Sequence, residues 1–136
     1  MPPATTIGAG TMGFWVDGVK WVAHSDDFLF SKTGASYWSS SLLEIYGVNH
    51  PKSRLELSLN NPITGTYQIS NSNNARYILY DNSTTFYLDT TNLSNNLNIT
   101  RCDKTTISGT FSFKLKSSTG SIVSITSGRF DISIDH

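Results

Sequence analysis

A chain of 136 residues is the length of one domain and can bury about two-thirds of its unfolded surface, enough for a core without covalent staples. Ten basic and ten acidic residues cancel, and the 15% of charged residues includes no basic run, which argues against nucleic-acid binding and against electrostatic attachment to an anionic membrane. Cys102 is the single cysteine, so an intrachain disulfide and a thiolate metal cluster are excluded.

Residues 1–12 (MPPATTIGAGTM) are rich in Pro, Thr and Gly and read as an extended tether. A single domain is expected over 13–136. FWVDGVKWVA holds two β-rich runs around Asp17-Gly18, a strong two-residue hairpin signal because a type I′ turn needs positive φ at both central positions. Residues 24–41 keep no period and read as a loop-rich excursion. LLEIYGV (42–48) and RLELSLN (54–60) follow; in the second, Leu55, Leu57 and Leu59 alternate with Glu56 and Ser58, a strand with one wet face. GTYQIS (65–70), ARYILY (75–80), TTFYL (84–88) and LNITRC (97–102) are further short strands separated by turn residues.

TTISGTFSFKLK (105–116) places Ile107, Phe111, Phe113 and Leu115 on one face and Ser108, Thr110, Ser112, Lys114 and Lys116 on the other. Gly109 interrupts it, which marks a bulge or the close approach of another backbone or an aromatic ring. Ile122–Thr126 forms a return strand, and Phe130, Ile132 and Ile134 then alternate with Arg129, Asp131 and Ser133. Across the outer face Asp131 is placed to meet a lysine. About 8–10 short strands with no helix predict an all-β domain, an antiparallel β-sandwich or a partly open barrel.

Candidate chemistry is sparse. His24, His50 and His136 lie far apart in sequence, so no local metal-ligand spacing exists, and no metal or cofactor is expected. Asp26-Asp27 are adjacent and read as turn formers. Glu44 and Glu56 fall on strands expected to neighbour each other and read as solvent-face carboxylates. Ser108-Gly109 is half of a nucleophile elbow without the flanking glycine or the following helix. Asp81 and Asp103 suit Asx-type turns. Asn-x-Ser/Thr triplets at Asn82, Asn92 and Asn98 are what so Asn/Ser/Thr-rich a chain produces by chance. No catalytic residue is assigned. Aromatics are the suggestive class: Tyr37, Trp38 and Tyr46 are the candidate ligand contacts, while the opposing reading has Trp38 folded back as a lid on the core.

Two segments, PPATTIGAGTMGFWVDGVKW at the start and LNITRCDKTTISGTFSFKLKSSTGSIVSITSGRFDISI at the end, resemble the opening and closing motifs of small envelope lipoproteins of Bacteroidota, an uncharacterised domain family of unknown function. Phe14, where many relatives carry a cysteine, and Asp17, in place of the usual Asn, depart from that pattern. The resemblance implies a lipid-anchored β-sandwich, periplasmic or on the cell surface, with its leader and lipidated cysteine upstream; composition by itself leaves a cytosolic chain open. No catalytic residue is carried over. The reading is a non-catalytic envelope module that binds a glycan or protein partner, with two alternatives: a carrier of a small lipophilic ligand inside a barrel, and a hydrolase with converging acid and base groups.

Overall fold

The computed structural model describes residues 2, 4–25, 31–68, 74–80, 82–91 and 94–135. Among them are eleven strands and no helix: β1 (Thr11–Val16), β2 (Val19–Val22), β3 (Thr33–Tyr37), β4 (Leu42–Asn49), β5 (Ser53–Asn60), β6 (Gly65–Gln68), β7 (Asn74–Leu79), β8 (Thr84–Leu88), β9 (Asn96–Cys102), β10 (Thr106–Lys116) and β11 (Ile122–Asp135). The Asp17-Gly18 hairpin forms as its chemistry requires, with φ of 48° and 80°, and pairs Val16 with Val19 and Phe14 with Trp21.

Strand order is β2-β1-β11-β3-β4-β5-β7-β8-β10-β9-β6, and β10 also pairs with β11. That extra ladder closes a ring through β11, β3, β4, β5, β7, β8 and β10. One layer is β2-β1-β11-β10-β9-β6 and the other is β3-β4-β5-β7-β8. The layers meet along two short seams. At one, Ile134 and Asp135 of β11 run parallel to Ala35 and Ser36 of β3; at the other, Leu115 and Lys116 of β10 pair with Leu88 and Tyr87 of β8. The all-β architecture is therefore the expected one, between a sandwich and an open barrel.

Three details differ from expectation. The excursion at 24–41 contains β3, whose TGASY sequence lacks apolar alternation because Gly34 and Ala35 are overlaid by neighbours. The last two apolar runs belong to one long strand, β11. It survives its SerGly interruption by a bulge: Ser127 takes a φ of 50°, and the register shifts between Phe111 and Phe113 against β10 and between Gly13 and Trp15 against β1. One seam is parallel, so the sheet is mixed.

Period-two alternation fills the interior. Phe14 stacks on Trp21 with ring centroids 4.3 Å apart, Phe111 stacks on Phe113 at 5.0 Å, and Phe130, Tyr77 and Phe86 extend the aromatic cluster. The inward set Ile107, Phe111, Phe113 and Leu115 is buried throughout. Gly109 is where two surfaces come too close for any side chain. A Cβ there would lie 2.5 Å from the Asn98 carbonyl oxygen and 2.9 Å from the Phe130 ring, and the β9 register shifts between Ser108 and Gly109.

Candidate functional site

The β3–β4 turn carries Trp38, and its geometry holds that ring in solvent. The Trp38 amide donates to the Leu42 carbonyl at 2.9 Å, closing the hairpin, while Ser39 Oγ accepts from the Ser41 and Leu42 amides. Trp38 is left 72% exposed, with Tyr37 at 42%; the lid alternative does not describe this ring. The β5–β6 connection lies alongside, since the Asn61 amide donates to the Ser41 carbonyl. That connection is itself braced. Tyr67 Oη donates to the Ile63 carbonyl and accepts from the Ile63 amide, and Cys102 Sγ donates to the Pro62 carbonyl. Partial burial, with Cys102 adding to it, raises the Tyr37 phenol above its ordinary value. Tyr37, Trp38, Leu42 and Ile63 are thus exposed apolar groups on two hydrogen-bonded turns at one end of the domain. Exposed apolar residues gathered on neighbouring turns mark an interaction surface more often than scattered single ones do.

Tyr46 is the third sequence candidate, and the structure spends most of it on packing. Its ring lies where a Cβ on Gly34 would be, 2.5 Å from the nearest ring carbon, and the Arg54 guanidinium sits over the ring, 4.2 Å from its centroid. Tyr46 is half-buried between its cross-strand glycine and the arginine.

The carboxylates expected on the solvent face are on that face but are not both wet. Glu56 is buried because two arginines cover it. Arg76 binds it through Nε at 2.9 Å and Nη2 at 3.2 Å, and Arg54 stands 3.7 Å away. Burial, a hydrogen bond to Glu56 and the charge of Glu56 raise the Glu44 carboxyl above its ordinary value, against the opposing pull of Arg54 and Arg76. Both carboxylates are engaged by arginine, Glu44 by Arg54 and Glu56 by Arg54 and Arg76, an ion-pair network in place of the pair set roughly 5–9 Å apart around a cleft that a glycosidase uses.

Ser108 and Asp131 form the most highly bonded polar cluster, and sequence reasoning missed it. They face each other across β10 and β11, and both are buried although they point away from the core. The cover is the chain's own lead-in. Asp131 Oδ1 accepts from Ser108 Oγ at 2.6 Å and the Gly8 amide at 2.8 Å; Oδ2 accepts from Thr5 Oγ1 at 2.5 Å and the Ile7 and Ala9 amides at 3.1 Å each. Burial pushes the Asp131 carboxyl up, but the bonds from Ser108, Thr5, Ala9 and Gly8 outweigh it and bring the pKa down to about 2. Arg101 Nη1 holds the Thr6 carbonyl at 2.6 Å, and Arg129 Nη1 holds that of Pro2 at 3.1 Å. The expected Asp131–lysine contact is therefore wrong, because Lys114 and Lys116 lie opposite Ser124 and Ile122 while the lead-in occupies Asp131. Residues 4–10 lie along the domain, and Thr11 and Met12 already belong to β1. Ser108, with its hydroxyl committed to Asp131, is sheltered from substrate.

Asp103 accepts from the Thr105 and Thr106 amides, as an Asx-type turn does. His24 and His50 meet through their backbones, the His50 amide donating to the His24 carbonyl at 2.9 Å. Among the described residues no three His, Cys, Asp or Glu side chains gather as metal ligands, and no helix is long and apolar enough to cross a membrane. Asp26, Asp27, Asp81, Asn92 and His136 lie outside the described residues.

Fold and surface together define a two-layered all-β domain whose distinctive polar cluster closes the structure and whose exposed aromatics stand apart from it. The chain belongs to the family described as Domain of unknown function (DUF6252), whose model matches residues 19–131. No curated protein and no solved structure matches it.

Proposed function

We propose that this domain is a non-catalytic module of the cell envelope that binds a glycan or protein partner through the Tyr37–Trp38 end. The observation that carries this reading is the 72% exposure of Trp38 on a hairpin braced by the Trp38, Ser41 and Leu42 amides, so that the ring is presented rather than loose. A tryptophan fixed in water is costly to leave bare and gains most when a partner covers it. The envelope address, periplasmic or surface-exposed, rests on the resemblance to Bacteroidota lipoproteins, and a leader with a lipidated cysteine encoded upstream is its direct test. Against the carrier alternative stands the space between the layers, filled by Phe14, Trp21, Tyr77, Phe111 and Phe130. Against a hydrolase stands the engagement of Glu44 and Glu56 by Arg54 and Arg76. The binding test is a glycan array together with a pull-down of purified envelope fractions. Trp38→Ala is expected to abolish the specific signal while the melting temperature holds. Binding that survives both Trp38→Ala and Tyr37→Ala would refute this end as the contact.

A further inference from the structure

At the opposite end of β4 from Trp38, the β4–β5 turn opens a groove of about 540 Å³ whose walls include Tyr46, His50, Pro51, Arg54 and Tyr80. That volume lies within the range of small-molecule sites. Among the described residues no Asp or Glu lines it.

Arg54 is its distinctive group. The guanidinium carbon sits over the Tyr46 ring, 4.2 Å from its centroid, and Tyr46 itself packs over Gly34, so the fork has a supporting platform. Its nearest acids, Glu44 and Glu56, are each 3.7 Å away, beyond hydrogen-bond reach, and the Glu56 carboxylate is already gripped by Nε and Nη2 of Arg76. Among the described residues Arg54 thus has two ion contacts at 3.7 Å and no side-chain hydrogen bond, so its charge is partly balanced while its planar donors remain available. A guanidinium fork in that condition matches a carboxylate, which accepts two parallel N–H bonds. Tyr80, 42% exposed, offers a flat wall for the apolar face of a ring and a hydroxyl at its tip.

We infer that this groove binds a carboxylate-bearing sugar, a uronic acid unit of an acidic glycan, with the carboxylate on the Arg54 fork and the ring against Tyr80. The site is separate from the Trp38 end and stands or falls without it.

The test is calorimetric titration of the whole domain with a uronic acid trisaccharide and with the neutral glucose trisaccharide of the same size. The acidic sugar is expected to bind about tenfold or more tightly than the neutral one. Arg54→Lys keeps the charge and loses the fork, and is expected to weaken binding by about tenfold; Tyr80→Ala is expected to weaken it several-fold without lowering the melting temperature. Backbone amide shifts should map to the β4–β5 turn and be absent around Trp38. Equal affinity for the two sugars, unchanged affinity in Arg54→Lys, or no titration by the uronate would overturn the assignment. So would a peptide C-terminal carboxylate that binds the groove as tightly as the sugar. If the arginine variant fails to fold, the comparison of the two sugars and the Tyr80→Ala variant decide.

Discussion

Replacing Asp131 by Asn is the sharpest probe of how this fold is closed. The amide keeps one acceptor oxygen and turns the other into a donor. Placed with its oxygen toward Thr5, Ile7 and Ala9, the side chain can donate to Ser108, whose hydroxyl rotates to accept; the Gly8 amide, 2.8 Å from the former Oδ1, is then left facing another N–H. An orphaned, partly buried donor costs about 1–3 kcal/mol, and the surviving bonds lose their charge assistance. A loss of about 3 kcal/mol is expected, which for a domain of this size is a fall of roughly 10 °C in melting temperature. The pH dependence sharpens the test. The folded carboxyl titrates at about 2 against an ordinary value of 3.8, so its contribution of about 2 kcal/mol is fully present above pH ~4 and is lost as the pH falls toward 2. Urea unfolding of both proteins at pH 7 and near pH 2 measures this directly, because other carboxylates cancel in the difference. The gap between them should narrow in acid. A gap that stays constant with pH, or one below about 0.5 kcal/mol at pH 7, would refute the clamp.

Other substitutions test the packing. Phe113→Ala removes a ring stacked on Phe111 and 2% exposed, and should cost about 3–5 kcal/mol in denaturant unfolding. Gly109→Ala forces a methyl group to within 2.5 Å of the Asn98 carbonyl oxygen; backbone must move, so a loss of about 1–3 kcal/mol is expected, read as a lower urea midpoint at unchanged m-value. Trp38→Ala should change stability by less than about 0.5 kcal/mol in thermal melts, and a larger drop would mean that the ring supports the core after all.

The sequence exposes the strands more readily than their partners. Alternation at Leu55, Leu57 and Leu59, and at Ile107 through Leu115, is a local signal with a two-residue period, and each of those side chains is buried where the pattern puts it. Asp17-Gly18 and Gly109 were equally readable, because each answers to a backbone or steric demand that few other residues meet. β3 was hidden for the converse reason. Its Gly34 and Ala35 are small so that Tyr46 and the β11 seam can lie across them, and that need is created by strands that lie elsewhere in the sequence. The continuity of β11 was hidden because a Ser-Gly pair reads as a break, whereas here it absorbs a bulge in a ladder already fixed on both sides.

Side-chain roles were harder to read for the same reason. Alternation places Asp131 on the outer face, and that is correct. Its burial comes from residues 5–9, more than 120 positions away in the chain, and no local period reports such a contact. The consequence bears on where function can reside. Thr5, Gly8, Ser108 and Asp131 fall in the opening and closing motifs that make the chain look familiar, and all four are committed to fastening the lead-in across β10 and β11. Groups so engaged cannot also grip a ligand without unlatching the fold. On the readings proposed above, recognition falls to side chains outside those motifs, Trp38 at one end of β4 and Arg54 with Tyr80 at the other, away from the clamp. A related chain with the same clamp but a different residue at position 54 should fold alike and lose the preference for an acidic sugar.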